Sequence, residues 1–543
     1  MKTKIKHSLK KYGIHIFALV VAVGIGGFMA ARLGQDINFD LQNYHYANPH
    51  IFLNDRIEHD IAIGELESYA NPLPDIPGYL LISHVRPRIA ATGLGMIQGL
   101  NIFLIFEIVL LLLPRKRIWS WQRWAVALFV GILSFFGAGN ISEVGNTMGD
   151  NLASLFVLGG LLLLLFSFSR PKVWPSQRLV RLAAYFVIGA GVGLKLTGVI
   201  YALALLAAGL LVEGSWVKKI KEGFFHGLAI GIGTLLTGGF WYLKLWQLFK
   251  SPIFPFYNAV FQSPYYPAKN FEDVRWIPKS LLHAVFAPFY YASKQALSSE
   301  IPFKDPRLAV AYTALVVLVG YFVVRKWVLK EKTSLPRWSK PHTAFWIFVV
   351  VSFVIWTAKF SYYRYLMPLE LLALVAITTA VYTLVPRFTY ATAAVVVVAV
   401  TITRLTVPID WGRVSWRPTY FGVSKATFAH LENAAVLIPG FAPFGFTVPY
   451  FPESSQAIRI ESDLSSPAMG TPAMQNKLRQ AVEQKKRQNA PFYALKADEE
   501  AVATENTLNH FGFKTRSCQE LPVYTRETIP LKFRLCELER LNQ

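Results

Sequence analysis

The chain has 543 residues, of which 53% are apolar, 14% aromatic and only 16% charged, a mixture too apolar for a water-soluble protein of this length. Lys and Arg outnumber Asp and Glu by 55 to 33, a net charge of +22, but the basic residues sit in short stretches between apolar runs rather than on one face, which argues against nucleic acid as a partner. A lipid bilayer is the environment that remains.

The first apolar run, Ile14 to Met29, follows Lys2, Lys4, Lys6, Lys10 and Lys11 and ends in Ala30-Ala31. A cleaved signal peptide has those features too, but the many later spans favour a retained anchor. Hydropathy places spans at about 13–33, 89–113, 124–140, 152–168, 180–194, 198–213, 224–247, 306–325, 343–357, 365–384 and 390–405, about eleven in all. Basic clusters then fall on one side: Arg115, Lys116, Arg117 and Arg123; Arg170, Lys172, Arg178 and Arg181; Lys218, Lys219 and Lys221; Arg325, Lys326, Lys330, Lys332, Arg337 and Lys340. By the positive-inside rule that side is the cytoplasm, with the N-terminus inside and, after an odd number of spans, the C-terminus outside.

Residues 1–405 are thus expected to form a membrane domain with outer segments at 34–88, 140–151 and 249–305. Residues 406–543 read as a small periplasmic α/β domain, with apolar stretches at Ala434–Ile438 and Phe492–Leu495 and a helix-compatible segment from Asn476 to Asn489. The tail holds no glycine-rich phosphate loop. Cys518 and Cys536, the only cysteines, lie in it; outside the cytoplasm they could pair, and two free buried thiols are the alternative.

The outer segments carry the candidate chemistry. Asp36 and Asp40 follow the first span directly, where a carboxylate can meet both a lipid-borne donor and a water-borne acceptor and serve as general base; capping of the following helix is the plainer reading. Asp55, Glu58, Asp60, Glu65, Glu67 and Asp75 make this an acidic loop, most of it expected to be solvated, and His45, His50, His59 and His84 match no zinc-ligand spacing. In the turn Asn140 to Asn151, Glu143 and Asp150 could bind sugar hydroxyls or hold a divalent cation. Lys195 interrupts an apolar stretch, and Arg364 stands at the start of another; either could meet a phosphate, and either could merely anchor the chain at the interface. Arg275 is a further candidate, explained equally well by a pair with Asp273.

The pattern Asp40-x-x-Asn43-Tyr44-His45-Tyr46, then Asn71-Pro72-Leu73 and Asp75-Ile76-Pro77, resembles the first loop of bacterial membrane glycosyltransferases of the GT-C type. Glu143-x-Gly145-x-Thr147-x-x-Asp150-Asn151, Gly193-Leu194-Lys195-Leu196-Thr197, Pro255-Phe256-Tyr257-Asn258 and Arg364-Tyr365 extend the resemblance over most of the chain. It implies a polyprenyl-phosphate sugar as donor, a glycan, lipid or protein acceptor, and inversion at the anomeric carbon in a bacterial inner membrane. It also implies Asp40, less securely Asp36, as base, and Arg364 and Lys195 as the cations that receive the leaving phosphate. Asn43, His45, Glu143, Asp150 and Arg275 would complete the substrate contacts. Asp36 and Asp40 are not adjacent, which departs from the acidic pair of some branches. Three other classes share the spans: a transporter or flippase of lipid-linked sugars, an oligosaccharide polymerase or ligase, and a membrane scaffold.

Overall fold

The computed structural model describes residues 2–114, 120–169, 176–212, 215–293, 298–328, 339–468, 470–525 and 532–541, with side chains from Tyr12 onward. The side chains of Lys2, Lys4, Lys6, Lys10 and Lys11, and the anchors Arg115, Lys116, Arg117, Arg170, Lys172, Lys330, Lys332 and Arg337, lie outside the described residues.

Among the described residues, nine helical segments are long and apolar enough to cross a bilayer, so the chain is a multi-pass membrane protein. In order they are α1 (Lys2–Leu33), α2 (Pro87–Leu112), α4 (Asp150–Ser169), α5 (Gln177–Leu194), α7 (Trp216–Phe249), α8 (Arg307–Trp327), α9 (Lys340–Lys359), α10 (Tyr363–Leu384) and α11 (Phe388–Leu405). Two shorter helices, α3 (Ser120–Ser134) and α6 (Leu196–Val212), stand at the remaining predicted positions. The break between α5 and α6 is real: Lys195 is extended there, at φ −142°.

Small residues let these helices approach closely. A Cβ on Gly26 of α1 would lie 2.1 Å from the Gly95 carbonyl of α2, and one on Gly189 of α5 would lie 2.2 Å from the Ile230 carbonyl of α7. The axis of the bundle is α10, whose residues Met367 through Ala380 are all buried; a helix apolar all round is one enclosed by others. Alternation of the helices puts Arg123, Arg178, Arg181, Lys218, Lys219, Lys221, Arg325, Lys326 and Lys340 at one end of the bundle.

At the other end the connections fold into short helices, among them Ala47–Leu53, Ile76–His84, Ala138–Ser142 and Leu281–Tyr290. The C-terminal region packs on that end. Strand β1 (Gln35–Asp36), just after α1, pairs antiparallel with β2 (Arg413–Val414), just after α11. Beyond it lie β3 (Ala435–Ile438), β4 (Gln456–Arg459), β5 (Phe492–Ala497), β6 (Phe513–Glu520) and β7 (Phe533–Arg540), in the order β4-β3-β5-β7-β6. The first three run parallel and the last two join antiparallel. Strand β3 is buried along its whole length, as its unbroken apolar run requires of a central parallel strand. Helices α12 (Pro472–Arg487) and α13 (Ala501–His510) accompany the sheet, α12 burying Met474, Leu478 and Val482 at helical spacing. Cys518 and Cys536 face each other across β6 and β7 and form a disulfide.

Candidate functional site

Four of the predicted residues meet at the C-terminal-domain end of the bundle, brought there by four different elements. Arg364 lies in the 3-10 turn, Tyr363–Leu366, that begins α10, and Pro368 stands in the first turn of its α-helical part, Met367–Leu384, a position that suits proline's fixed φ. Its Nη1 donates to Asp40 Oδ2 at 2.7 Å and its Nε to Asp150 Oδ2 at 3.1 Å. Asp150 opens α4, and its other oxygen accepts from Lys195 Nζ at 2.5 Å. The extended backbone of Lys195 at the α5–α6 break is what turns that side chain towards α4. The Arg364 guanidinium lies over the rings of Tyr362 and Trp411, 6.0 and 5.7 Å from their centroids. Lys195 and Arg364 are therefore held by internal ion pairs; neither snorkels to the surface.

Asp40 precedes a short π-helix, Leu41–His45, but its side chain makes no capping bond. It accepts instead from Arg364 and from the Tyr44 hydroxyl at 3.2 Å. Burial alone would raise its proton affinity, yet Arg364, then His45 and Lys195, outweigh burial and hold the carboxyl below the ordinary aspartate value. Asp36 has a different fate. Its carboxylate accepts from the backbone N–H and side-chain amide of Asn38 and from the backbone and hydroxyl of Thr147. It is a buried strut between the first loop and the Asn140–Asn151 turn, and burial, against the opposing pull of Arg413, raises its proton affinity.

The other predicted residues are distributed as follows. His45 is buried and pairs through Nδ1 with Asp75 at 2.8 Å, beside Tyr44. Asn43 accepts from Arg459 Nη2 at 3.1 Å and so faces the C-terminal domain. Glu143 is sealed beside Asp150, where burial first and the Asp150 charge second hold its carboxyl well above the usual glutamate value. Arg275 is exposed, bonded to Asp273 at 2.6 Å, and is not brought into the cluster, although its neighbour Trp276 stacks on Tyr362. Among the described residues no three acidic, His or Cys side chains assemble a cation site, and both Asp150 oxygens already serve Lys195 and Arg364. The Glu143 and Asp150 geometry is thus not that of a built metal site.

A small pocket between α4, α5, α6 and α10 is lined by Asp150 and Arg364 of this cluster together with Val157, Ile188, Tyr201 and Tyr365.

No protein-family model matches the sequence, and no curated protein matches it significantly. Solved structures do match. The crystal structure of ArnT from Cupriavidus metallidurans bound to undecaprenyl phosphate is 13% identical, covers 97% of this chain and 98% of its own, and superposes with a TM-score of 0.55. The same protein in the apo state gives 12% identity, 96% and 97% coverage and a TM-score of 0.55. The fold is that of ArnT. The Archaeoglobus fulgidus oligosaccharyltransferase tethered to an acceptor peptide is similar at a TM-score of 0.46, with 12% identity over 92% of this chain and 71% of that one. The membrane architecture that the sequence motifs imply is therefore present.

Several acids expected to be solvated are not. Asp60 is fully buried, bound to Arg56 at 2.6 Å and to the Ala457 N–H at 2.9 Å, and Asp75 is committed to His45. Glu65 and Glu67 lie on a 3-10 turn, Glu65–Tyr69, that folds back over Asp40. Burial, followed by the charge of Asp40, pushes Glu67 up to about 8. Burial likewise lifts Glu65 to about 7, against the pull of Arg459. The acidic composition of the loop suggested solvation, whereas its interleaved Ile61, Ile63, Leu66 and Tyr69, all buried, carried the signal that it folds inward.

Proposed function

We propose that this protein is a membrane glycosyltransferase that moves a sugar from a polyprenyl-phosphate donor to a hydroxyl of a glycan, lipid or protein acceptor on the periplasmic face of a bacterial inner membrane. The observation that carries the reading is the placement of Asp40, Arg364, Asp150 and Lys195 in one bonded cluster, with Asp150 and Arg364 lining a small pocket between spans. A lipid phosphate needs fixed cations to meet its charge, and Arg364 and Lys195 stand together around Asp150 to do so. The ArnT structure that shares the fold was solved with undecaprenyl phosphate bound. The gathering of described basic residues at the opposite end of the bundle, and the Cys518–Cys536 disulfide in the C-terminal domain, support a cytoplasmic N-terminus and a site facing the periplasm.

In this reading Asp40 takes the proton from the acceptor hydroxyl as its oxygen attacks the anomeric carbon. The bond from that carbon to the phosphate oxygen breaks, the carbon inverts, and the departing phosphate is stabilised by Arg364 and Lys195. Those cations stand in place before the charge develops, so no reorganisation is needed at the moment of reaction. Asp36 is a positioning residue.

The test is transfer by purified protein in lipid, with a panel of radiolabelled polyprenyl-phosphate sugars and wild type beside Asp40→Asn. The reading expects transfer from at least one donor and its loss in the folded variant. Transfer that survives in Asp40→Asn would move the base to Glu67; no transfer from any donor by intact protein would favour a transporter or ligase.

A further inference from the structure

The residue that should act as base and the residue that should receive the phosphate are bonded to each other. Arg364 lies over the rings of Tyr362 and Trp411, with Nε on Asp150 and Nη1 on Asp40, so two of its three nitrogens are in use. A guanidinium grips phosphate best through two parallel N–H groups on one edge. Asp150 already covers the Nε side, which leaves the edge formed by Nη1 and Nη2. Asp40 occupies half of that edge.

We propose that the lipid-borne phosphate and the Asp40 carboxylate compete for Arg364, so that docking of the donor pushes Asp40 off the guanidinium and frees it to act as base. This rests on the glycosyltransferase reading. Which carboxylate yields is decided by its surroundings. The Asp150 side chain is 5% exposed and is held by Lys195 as well as Arg364. That of Asp40 is 19% exposed and, among the described residues, has Arg364 as its single cationic hydrogen-bond partner. The Tyr44 hydroxyl, on the same Asp40 oxygen at 3.2 Å, is placed to keep a hydrogen bond on the carboxylate once Arg364 is withdrawn. While paired, Asp40 is a weak base, because the adjacent cation stabilises its charged form; with Arg364 turned to phosphate, that stabilisation passes to the leaving group, where it is wanted. The device would keep the base inactive until a donor is seated.

The competition has a signature that needs no sugar transfer. Undecaprenyl phosphate binding is measured on full-length protein in nanodiscs for wild type, Asp40→Asn, Arg364→Gln and Asp273→Asn, with inorganic phosphate and phosphatidylglycerol as alternative phosphate sources. Removing the competitor should tighten binding in Asp40→Asn by about tenfold, equivalent to about 1.4 kcal/mol. Arg364→Gln should bind weakly and lose that gain when combined with Asp40→Asn. Asp273→Asn, which removes the same charge at a half-buried site outside the cluster, should match wild type. Unchanged or weaker binding by Asp40→Asn, with wild type binding the carrier, overturns the competition and leaves the glycosyltransferase reading standing. Wild type that prefers neither the carrier nor its phosphate over the controls overturns both. Should Asp40→Asn not fold, carbodiimide labelling of Asp40 in the wild type, mapped by mass spectrometry, replaces it: the carrier should increase labelling, and unchanged or reduced labelling overturns the proposal.

Discussion

Replacing Arg459 by Met tests how the C-terminal domain is held over the site. The guanidinium is fully buried at the end of β4 and donates to the carbonyls of Ile63 at 2.8 Å, Gly440 at 2.7 Å and Ala442 at 3.1 Å, and to Asn43 Oδ1 at 3.1 Å. Glu65 lies 3.6 Å away. Methionine reproduces much of the stem but leaves three acceptors without a donor, since the Ala442 carbonyl keeps the Phe444 N–H, each costing about 1–3 kcal/mol when buried. The lower bound gives a loss of about 3 kcal/mol, a large part of the roughly 5–15 kcal/mol that holds a typical domain together. Glu65 limits the damage: burial already lifts its carboxyl to about 7, so without Arg459 it stays protonated and no orphaned charge is added. Thermal unfolding in nanodiscs should show the loss, and limited proteolysis should show faster cutting between the membrane domain and the sheet. Arg459→Lys, which keeps the charge but cannot span four acceptors, should fall between. A Met variant with wild-type melting and wild-type proteolysis would refute the claim that this one side chain ties the first loop to the sheet.

Gly137→Ala places a Cβ 1.9 Å from Glu370 Oε1, whose carboxylate accepts from the Gly139 and Asn140 N–H groups at 2.9 and 2.8 Å; overpacking of about 1–3 kcal/mol should appear as a lower melting temperature and reduced transfer. Replacing both Cys518 and Cys536 by Ser opens a loop of 18 residues and should cost the C-terminal domain about 3 kcal/mol, read as a reductant-insensitive melting point equal to that of reduced wild type. Glu67 holds its proton up to about 8, above its unfolded value, so the wild type keeps that contribution to stability in acid and loses it as pH rises. Glu67→Gln cannot ionise, and its melting temperature should gain on wild type between about pH 5 and pH 9; a constant difference would show that Glu67 is solvated.

The fold was legible where one physical constraint acts along the chain. Bilayer thickness sets run length, and basic residues alternate with the spans, so among the described residues nine spans and two shorter helices stand near the eleven positions that hydropathy marked, including the break at Lys195. The unbroken apolar runs at Ala434–Ile438 and Phe492–Leu495 became β3 and β5 for the same reason. The site was legible only where residue type was decisive. A cation beside an apolar run needs a partner, and Lys195 and Arg364 found one in Asp150. What stayed hidden depends on contacts between distant segments. Nothing near Asn43 in the sequence announces that Arg459 reaches it from 416 positions away, or near Asp36 that Thr147 bonds to it from 111 positions on.

These contacts make environment, not residue type, the source of each acid's role. Asp36 is given to structure by its hydrogen bonds with Asn38 and Thr147. Glu143 and Glu67 are pushed by burial and by their charged neighbours towards the neutral form. Asp40 alone of these four touches Arg364, and that cation keeps it ionised. Charge in the cluster is balanced, Asp40 and Asp150 against Lys195 and Arg364. A phosphate that enters adds negative charge where none is tolerated without compensation. In the proposed competition the phosphate takes over the Arg364 charge, and Asp40, released and still ionised, gains proton affinity as that cation turns away. The proton that then restores the balance is the one lost by the acceptor hydroxyl, so the electrostatics that make Asp40 a weak base before the phosphate arrives make it a stronger one afterwards.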